Sequence, residues 1–181
     1  MFILASSSPR RKELLKKLIP EYAILVPDVD ERILDLSPSD LAAEESKIKA
    51  YAISSLHPHD EVLACDTIVV LEGKILGKPK DEEDAMAMLK AQSGKRQIVL
   101  SGYTYIGKGK EITRTVATEV YFKELSDELI RDYVATKKPL DKAGAYGIQD
   151  GYPLVDHIVG SFDNVMGLPT EDIAVHVFNR R

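Results

Sequence analysis

Short apolar runs along the chain are separated by segments in which apolar residues recur every three or four positions, the pattern of strands interleaved with amphipathic helices. Residues 2–5 read as a short buried strand. Ser8-Pro9 then opens a helix, with Ser8 as N-cap and Pro9 as its first residue. Leu14, Leu15 and Leu18 form its inner face, and Pro20 lies beyond its end. Residues 22–26 read as a second strand, followed by an acidic loop, Asp28-Val29-Asp30-Glu31. Ser37-Pro38 repeats the cap signal and predicts a longer helix to about residue 56, with Leu41, Ala42, Ile48, Ala52 and Ile53 turned inward.

Residues 62–71 are apolar except at Asp66-Thr67, and Glu72-Gly73 predicts a hairpin turn that returns the chain through Ile75-Leu76 to Gly77-Lys78-Pro79. Asp81 caps a predicted helix through Leu89 that Gly94 ends. Two long strands follow, over residues 97–106 and 111–122, joined by Gly107-Lys108-Gly109. Ser126 caps a further helix to about Ala135. Residues 141–151 hold three glycines and predict an ordered loop; a strand over 153–159, a connection over 160–169 and a C-terminal helix complete the chain. Strands in paired runs between helices predict a mixed α/β sheet rather than a regular βαβ array.

A chain of 181 residues has the length of one domain, or of one divided by a cleft, and buries roughly 70% of its unfolded surface without help from disulfide or metal. Hydrophobic residues at 44% and charged residues at 29% exclude a disordered tail, a collagen and a coiled coil. No apolar run approaches the roughly 18 residues of a membrane span, and the first five residues are too short for a signal-peptide core. Cys65 is the single cysteine, so no internal disulfide forms. These features predict a cytoplasmic protein. Its net charge of −5, from 24 basic and 29 acidic residues, argues against a nucleic-acid coat. A polyanionic substrate is repelled overall unless cations gather locally to receive it.

Four segments meet that requirement or carry reactive groups. In Ser6-Ser7-Ser8-Pro9-Arg10-Arg11-Lys12, three cations oppose the macrodipole of the helix start. A phosphate group bound there explains them, since serine hydroxyls and bidentate arginines suit its oxygens. An exposed basic helix end paired with Glu13 explains them equally well. The chain has no GxxxxGK[ST] loop. Asp66 interrupts an apolar strand, and a carboxylate there must meet a metal, a cation or hydrogen-bond donors. It is a candidate general base or metal ligand; the alternative is a structural tie to a neighbouring loop. Cys65 beside it reads as core packing. Lys78, after a returning strand, either points toward Asp66 or sits in solvent. Lys49 follows Glu45 by four residues, the spacing of a surface ion pair. In residues 141–149 small residues permit close approach of a ligand, with Lys142 and Gln149 as polar contacts. The Gln149 amide complements the C=O and N–H of a uracil or thymine edge, though a tight loop without ligand fits the same residues. None of the four histidines has zinc-site spacing.

Together these segments resemble the Maf family, the septum-formation-inhibitor-like nucleotide pyrophosphatases. The resemblance is carried by Leu4-Ala5-Ser6-Ser7-Ser8-Pro9-Arg10-Arg11, Asp30-Glu31, Lys49-Ala50, Asp66-Thr67, Gly77-Lys78-Pro79, residues 141–149 and Val165-Met166-Gly167-Leu168-Pro169. It implies a single domain over 1–181, with an elongated mixed α/β fold similar to the inosine-triphosphatase-like enzymes and two lobes around a cleft. It further implies hydrolysis of nucleoside triphosphates to monophosphate and pyrophosphate with a divalent cation, Mg²⁺ or Mn²⁺. Asp66 is then the proton acceptor. Ser8, Arg11, Lys49 and Lys78 bind phosphate, and Glu31 and Asp66 serve the metal. Arg10, Thr67 and Gln149 resemble the branch acting on dTTP and UTP; the 7-methyl-GTP branch typically has Trp, Gln and Glu there. Two positions depart from the usual pattern: Gln97 stands where a His is common, and Asp150 where a Gly is usual. Asp150 is expected to alter affinity or loop shape near the base.

The expected chemistry is attack of water on the α-phosphorus, with Asp66 as base and cations neutralising the phosphates. The rival is a nucleotide-binding regulator of cell division with little hydrolytic activity, and a third reading is a plain phosphatase. The expected partner is a nucleotide, with no nucleic acid and no membrane. A homodimer fits the resemblance, but no hydrophobic seam demands it.

Overall fold

The computed structural model describes residues 1–30 and 35–181. Its strands are β1 (Phe2–Leu4), β2 (Ala23–Ile24), β3 (Glu61–Leu71), β4 (Lys74–Leu76), β5 (Arg96–Gly107), β6 (Lys110–Phe122) and β7 (Val155–Val159). Its helices are α1 (Pro9–Leu15), α2 (Pro38–Ser54), α3 (Glu82–Gln92), α4 (Asp127–Ala135), α5 (Phe162–Met166) and α6 (Thr170–His176). The strands form a seven-stranded sheet in the order β2-β1-β3-β5-β6-β7, with β4 added beside β3. This is the mixed α/β sheet that the hydrophobic pattern predicts. Among the described residues no helix is long and apolar enough to cross a membrane.

The chain divides into two compact units, the first made of residues 1–67, 100–116 and 167–181, the second of 68–99 and 117–166. In the first, β1 lies parallel to both β2 and β3, with Ile3 opposite Ala23 and Val62. A strand with parallel neighbours is covered on both faces and reads as uninterrupted apolar sequence, which is why Ile3 and Leu4 are fully buried. The predicted strand over 22–26 shrinks to Ala23–Ile24, because β1 offers register partners only at Ile3 and Leu4. Ile3, Ala5, Ala50, Ile53, Val62 and Ala64 form a core of this unit.

Helix α2 buries Ala42 and Ile53 as predicted, together with Glu45, Ser46 and Ala50, but leaves Leu41, Ile48 and Ala52 half-buried. Gly102 on β5 gives the reason: a Cβ there would lie 2.2 Å from the carbonyl oxygen of Ala42. The helix backbone rests directly on the strand, so small side chains must occupy that face. Ser46, which bonds its own helix at Ala43 O, also meets Thr104 Oγ1 at 2.8 Å.

In the second unit β4 folds back on β3, Val69 opposite Leu76. The connecting Glu72 and Gly73 both have positive φ, 50° and 78°, as a two-residue hairpin of type I′ requires. β6 and β7 pair antiparallel with a register shift at Tyr121/Phe122. The core here includes Leu89, Val99, Val120, Ile130, Tyr133 and Leu154. The predicted connection over 160–169 contains α5, whose start is marked by Ser161 Oγ accepting from Asn164 N at 3.0 Å.

Candidate active site

The first unit holds the predicted carboxylate and most of its cations. Ser8 caps α1 as expected, its hydroxyl accepting from Arg11 N at 3.3 Å while its own N–H reaches Ser6 Oγ at 3.1 Å. α1 has only seven residues, so the positive side chains rather than a long helix dipole dominate the electrostatics. Arg11 is fixed on two sides: Nε donates to Gly167 O at 2.7 Å and Nη2 donates to Thr67 Oγ1 at 3.1 Å. Arg10, also half-buried, stands beside it in the first turn.

Asp66 and Thr67 are successive residues of β3. Lys49 Nζ, on α2, donates to Asp66 Oδ1 at 2.8 Å, with both side chains about one-fifth exposed, 22% and 21%. Lys49 is therefore paired with the strand carboxylate, not with Glu45 as helical spacing allows. Oδ2 of Asp66 has no protein partner among the described residues, and this oxygen is open to water or a cation. Cys65 is fully buried and its thiol donates to Gly167 O at 3.3 Å. Burial pushes that thiol above its ordinary range, which fits core packing and not nucleophilic chemistry. Glu31, the second acid the resemblance assigns, lies outside the described residues. No group of three or more His, Cys, Asp or Glu that could hold a metal occurs among the described residues.

The second unit carries the other predicted residues. Lys78 is exposed beyond β4, and the turn it occupies is tied to the glycine-rich segment by Gly144 N donating to Gly77 O at 3.1 Å. That segment is ordered as three short 3₁₀ turns, Lys138–Asp141, Ala143–Ala145 and Ile148–Asp150. Gln149 is exposed on the last of them. Beside it opens a hollow of about 280 Å³ lined by Tyr146, Ile148, Tyr152, His157 and Phe162. Lys142 is turned into its own loop. Its ammonium donates to Lys138 O at 2.6 Å and lies 3.3 Å from both Asp141 Oδ1 and Asp150 Oδ2, with 10% of the side chain exposed.

The family profile described as Maf-like protein matches residues 1–177. The chain belongs to the Maf family. A dTTP/UTP pyrophosphatase of Pyrococcus furiosus is 47% identical over 169 residues, 92% of this chain and 88% of the relative. One of Thermosipho melanesiensis is 46% identical over 180 residues, 99% and 97% of the two chains. The solved Ham1 protein of Staphylococcus aureus is a remoter likeness, 19% identical, with a TM-score of 0.48 over 70% of this chain and 72% of that one.

The two departures of this Maf chain from the family pattern have local structural partners. Asp150 accepts from Tyr133 Oη at 2.6 Å as well as facing Lys142, and Tyr133 Oη accepts from Gly147 N at 2.8 Å. The carboxylate thereby fastens the loop from inside, with its charge offset by Lys142. Burial, reinforced by the Asp150 bond, pushes the Tyr133 phenol well above its ordinary range. Gln97 is buried in a chain of amides: it donates to Gln92 Oε1 and accepts from Tyr146 Oη at 3.1 Å, while Gln92 donates to Gly144 O at 2.6 Å. A side chain with both a donor and an acceptor is required there. Ser101, whose hydroxyl lies 2.8 Å from Thr67 Oγ1, is singled out by none of the sequence motifs. A serine inside a long strand carries no distinguishing signal.

Proposed function

We propose that this Maf protein hydrolyses dTTP and UTP to the nucleoside monophosphate and pyrophosphate. Support comes from the names of relatives 46–47% identical over nearly the whole chain and from one geometric observation, the Asp66–Lys49 pair. Lys49 occupies Oδ1 of the carboxylate at 2.8 Å and leaves Oδ2 for a proton. In the proposed step a water oxygen attacks the α-phosphorus and its proton passes to Asp66. The bond to the bridging oxygen breaks, and pyrophosphate leaves with the electron pair. Arg11, Ser8, Lys49 and Lys78 bind the phosphates and offset their charge. Base preference is assigned to Arg10, Thr67 and Gln149, and the whole chain, 1–181, is taken as one functional domain.

A divalent cation fits the donor set available, because Mg²⁺ is commonly held by one or two carboxylates, substrate phosphates and its own waters rather than by an all-protein cage. Asp66, with Glu31, would hold it, and when bound it supplies charge neutralisation on the phosphates and acidifies coordinated water. We assign the activity to free nucleotides in the cytoplasm.

The test is a panel of dTTP, UTP, CTP, ATP, GTP and 7-methyl-GTP with Mg²⁺, read for pyrophosphate and orthophosphate separately. Pyrophosphate released fastest from dTTP and UTP is expected. Tight binding without release would favour the regulator, and orthophosphate alone a plain phosphatase. Asp66→Asn should lower turnover by about 10²-fold or more in a chain that still folds; near-wild-type turnover would remove Asp66 from the role.

A further inference from the structure

We propose that Ser101 is a positioning residue for Arg11, acting through the Thr67 hydroxyl and the Gly167 carbonyl. This rests on the reading above that Arg11 binds phosphate. Ser101 lies inside β5 and is fully buried, so it is shielded from solvent. Its hydroxyl nevertheless lies 2.8 Å from Thr67 Oγ1, which in turn accepts from Arg11 Nη2 at 3.1 Å and lies 3.4 Å from Gly167 O.

Arg11 can only donate, so the Thr67 hydroxyl accepts from it, and the same hydroxyl shares a second hydrogen bond with that of Ser101. Ser101 thus stands one bond removed from the guanidinium and holds the Thr67 oxygen where it receives Arg11 Nη2.

Gly167 completes the arrangement. Its carbonyl accepts from Arg11 Nε at 2.7 Å and from the Cys65 thiol at 3.3 Å. Its φ of 122° is one that residues with a side chain rarely adopt. The guanidinium is thus gripped at Nε and at one Nη2 proton. Its three remaining N–H groups have no partner among the described residues and are the ones left for phosphate oxygens. Arginine loses much rotamer freedom when it is fixed on a ligand, and here that ordering is complete before the ligand arrives. Pre-organisation of this kind raises affinity without adding a contact.

A double-mutant cycle tests the relay, read as pyrophosphate released from dTTP by the full chain. Ser101→Ala alone is expected to lower kcat/KM about tenfold, the size of one hydrogen bond to a charged network. In an Arg11→Ala background the same change should cost less than twofold, whereas in a Lys78→Ala background it should keep its full effect. Equal losses in all three backgrounds, or no loss in the wild type, would overturn the proposal. If Arg11→Ala itself keeps wild-type activity, the phosphate role of Arg11 fails instead, and the two failures are told apart. Should Ser101→Ala not fold, the Arg11 Nε–H resonance decides. Slow solvent exchange is expected without nucleotide in the wild type and at least tenfold faster exchange in Thr67→Val; equal rates would refute the grip.

Discussion

Lys142 and Asp150 stand 3.3 Å apart with about one-tenth of each side chain exposed, and Gln149 lies exposed between them in sequence. One short segment therefore contains both fastening residues and an exposed glutamine proposed to meet the base, and substitutions should separate the two. Lys142→Met removes the cation from a buried carboxylate that Tyr133 alone cannot neutralise. A loss of about 3 kcal/mol is expected, read from the urea midpoint of unfolding. Gln149→Ala should leave that midpoint unmoved and instead change the ranking of the nucleotide panel; an unchanged ranking would take base recognition away from Gln149. At this scale the sequence was legible where a residue violates its surroundings. Asp66 stands out as a charge in an apolar strand, and its Lys49 partner is found at 2.8 Å. Which cation it meets was not legible, because Glu45 offers Lys49 an equally reasonable partner four residues away on the same helix. Lys142 misleads for the same reason: a lysine among glycines reads alike whether it faces a ligand or the inside of its own loop.

Caps and turns transmit directly from sequence to structure. Ser8, Ser37, Asp81 and Ser126 each accept from the backbone N–H three residues on, at 3.3, 3.3, 2.8 and 3.1 Å. Glu72-Gly73 and Lys108-Gly109 turn the chain with positive φ at both residues. These are local devices, fixed by side chains within one turn of where they act. The face of α2 was only partly legible, since it depends on Gly102, some sixty residues away in sequence, which lets the helix backbone approach β5. Gly102→Ala tests that dependence. With the new Cβ placed 2.2 Å from Ala42 O, α2 must shift, at an expected cost of about 3 kcal/mol. Because α2 carries Lys49, activity should fall along with the melting temperature. A Tm within about 2 °C of wild type would show that the contact yields cheaply.

The order of the seven motifs along the chain identified the family, and with it the activity of its relatives, while the strand order β2-β1-β3-β5-β6-β7 follows from pairings no local pattern encodes. Stability of the molecule also depends on pH through such a long-range pairing. Asp172 on α6 accepts from Tyr103 Oη at 2.7 Å and from Arg114 Nε and Nη2 at 2.7 and 3.2 Å. Burial pushes its carboxyl up, but the bonds from Arg114 and Tyr103 outweigh that and hold it below the usual carboxylate range. A depressed folded value means that its stabilisation is complete above the unfolded value of about 4 and is lost as pH falls through the folded one. Asp172→Asn should cost about 2 kcal/mol at pH 7 and flatten the fall in stability between pH 5 and pH 2. Parallel acid profiles for the two proteins would exclude Asp172 as a source of that slope.

The seclusion of Cys65 supplies a clock for breathing of the first unit. A maleimide or iodoacetamide can tag the chain once at most, and only during moments when the strand and the Gly167 segment part. Growth of the singly tagged mass therefore counts openings in the intact protein. If nucleotide settles Arg11 more firmly against Gly167, dTTP should slow that count; tagging at the rate of a free thiol in plain buffer would mean that the sulfur is not enclosed.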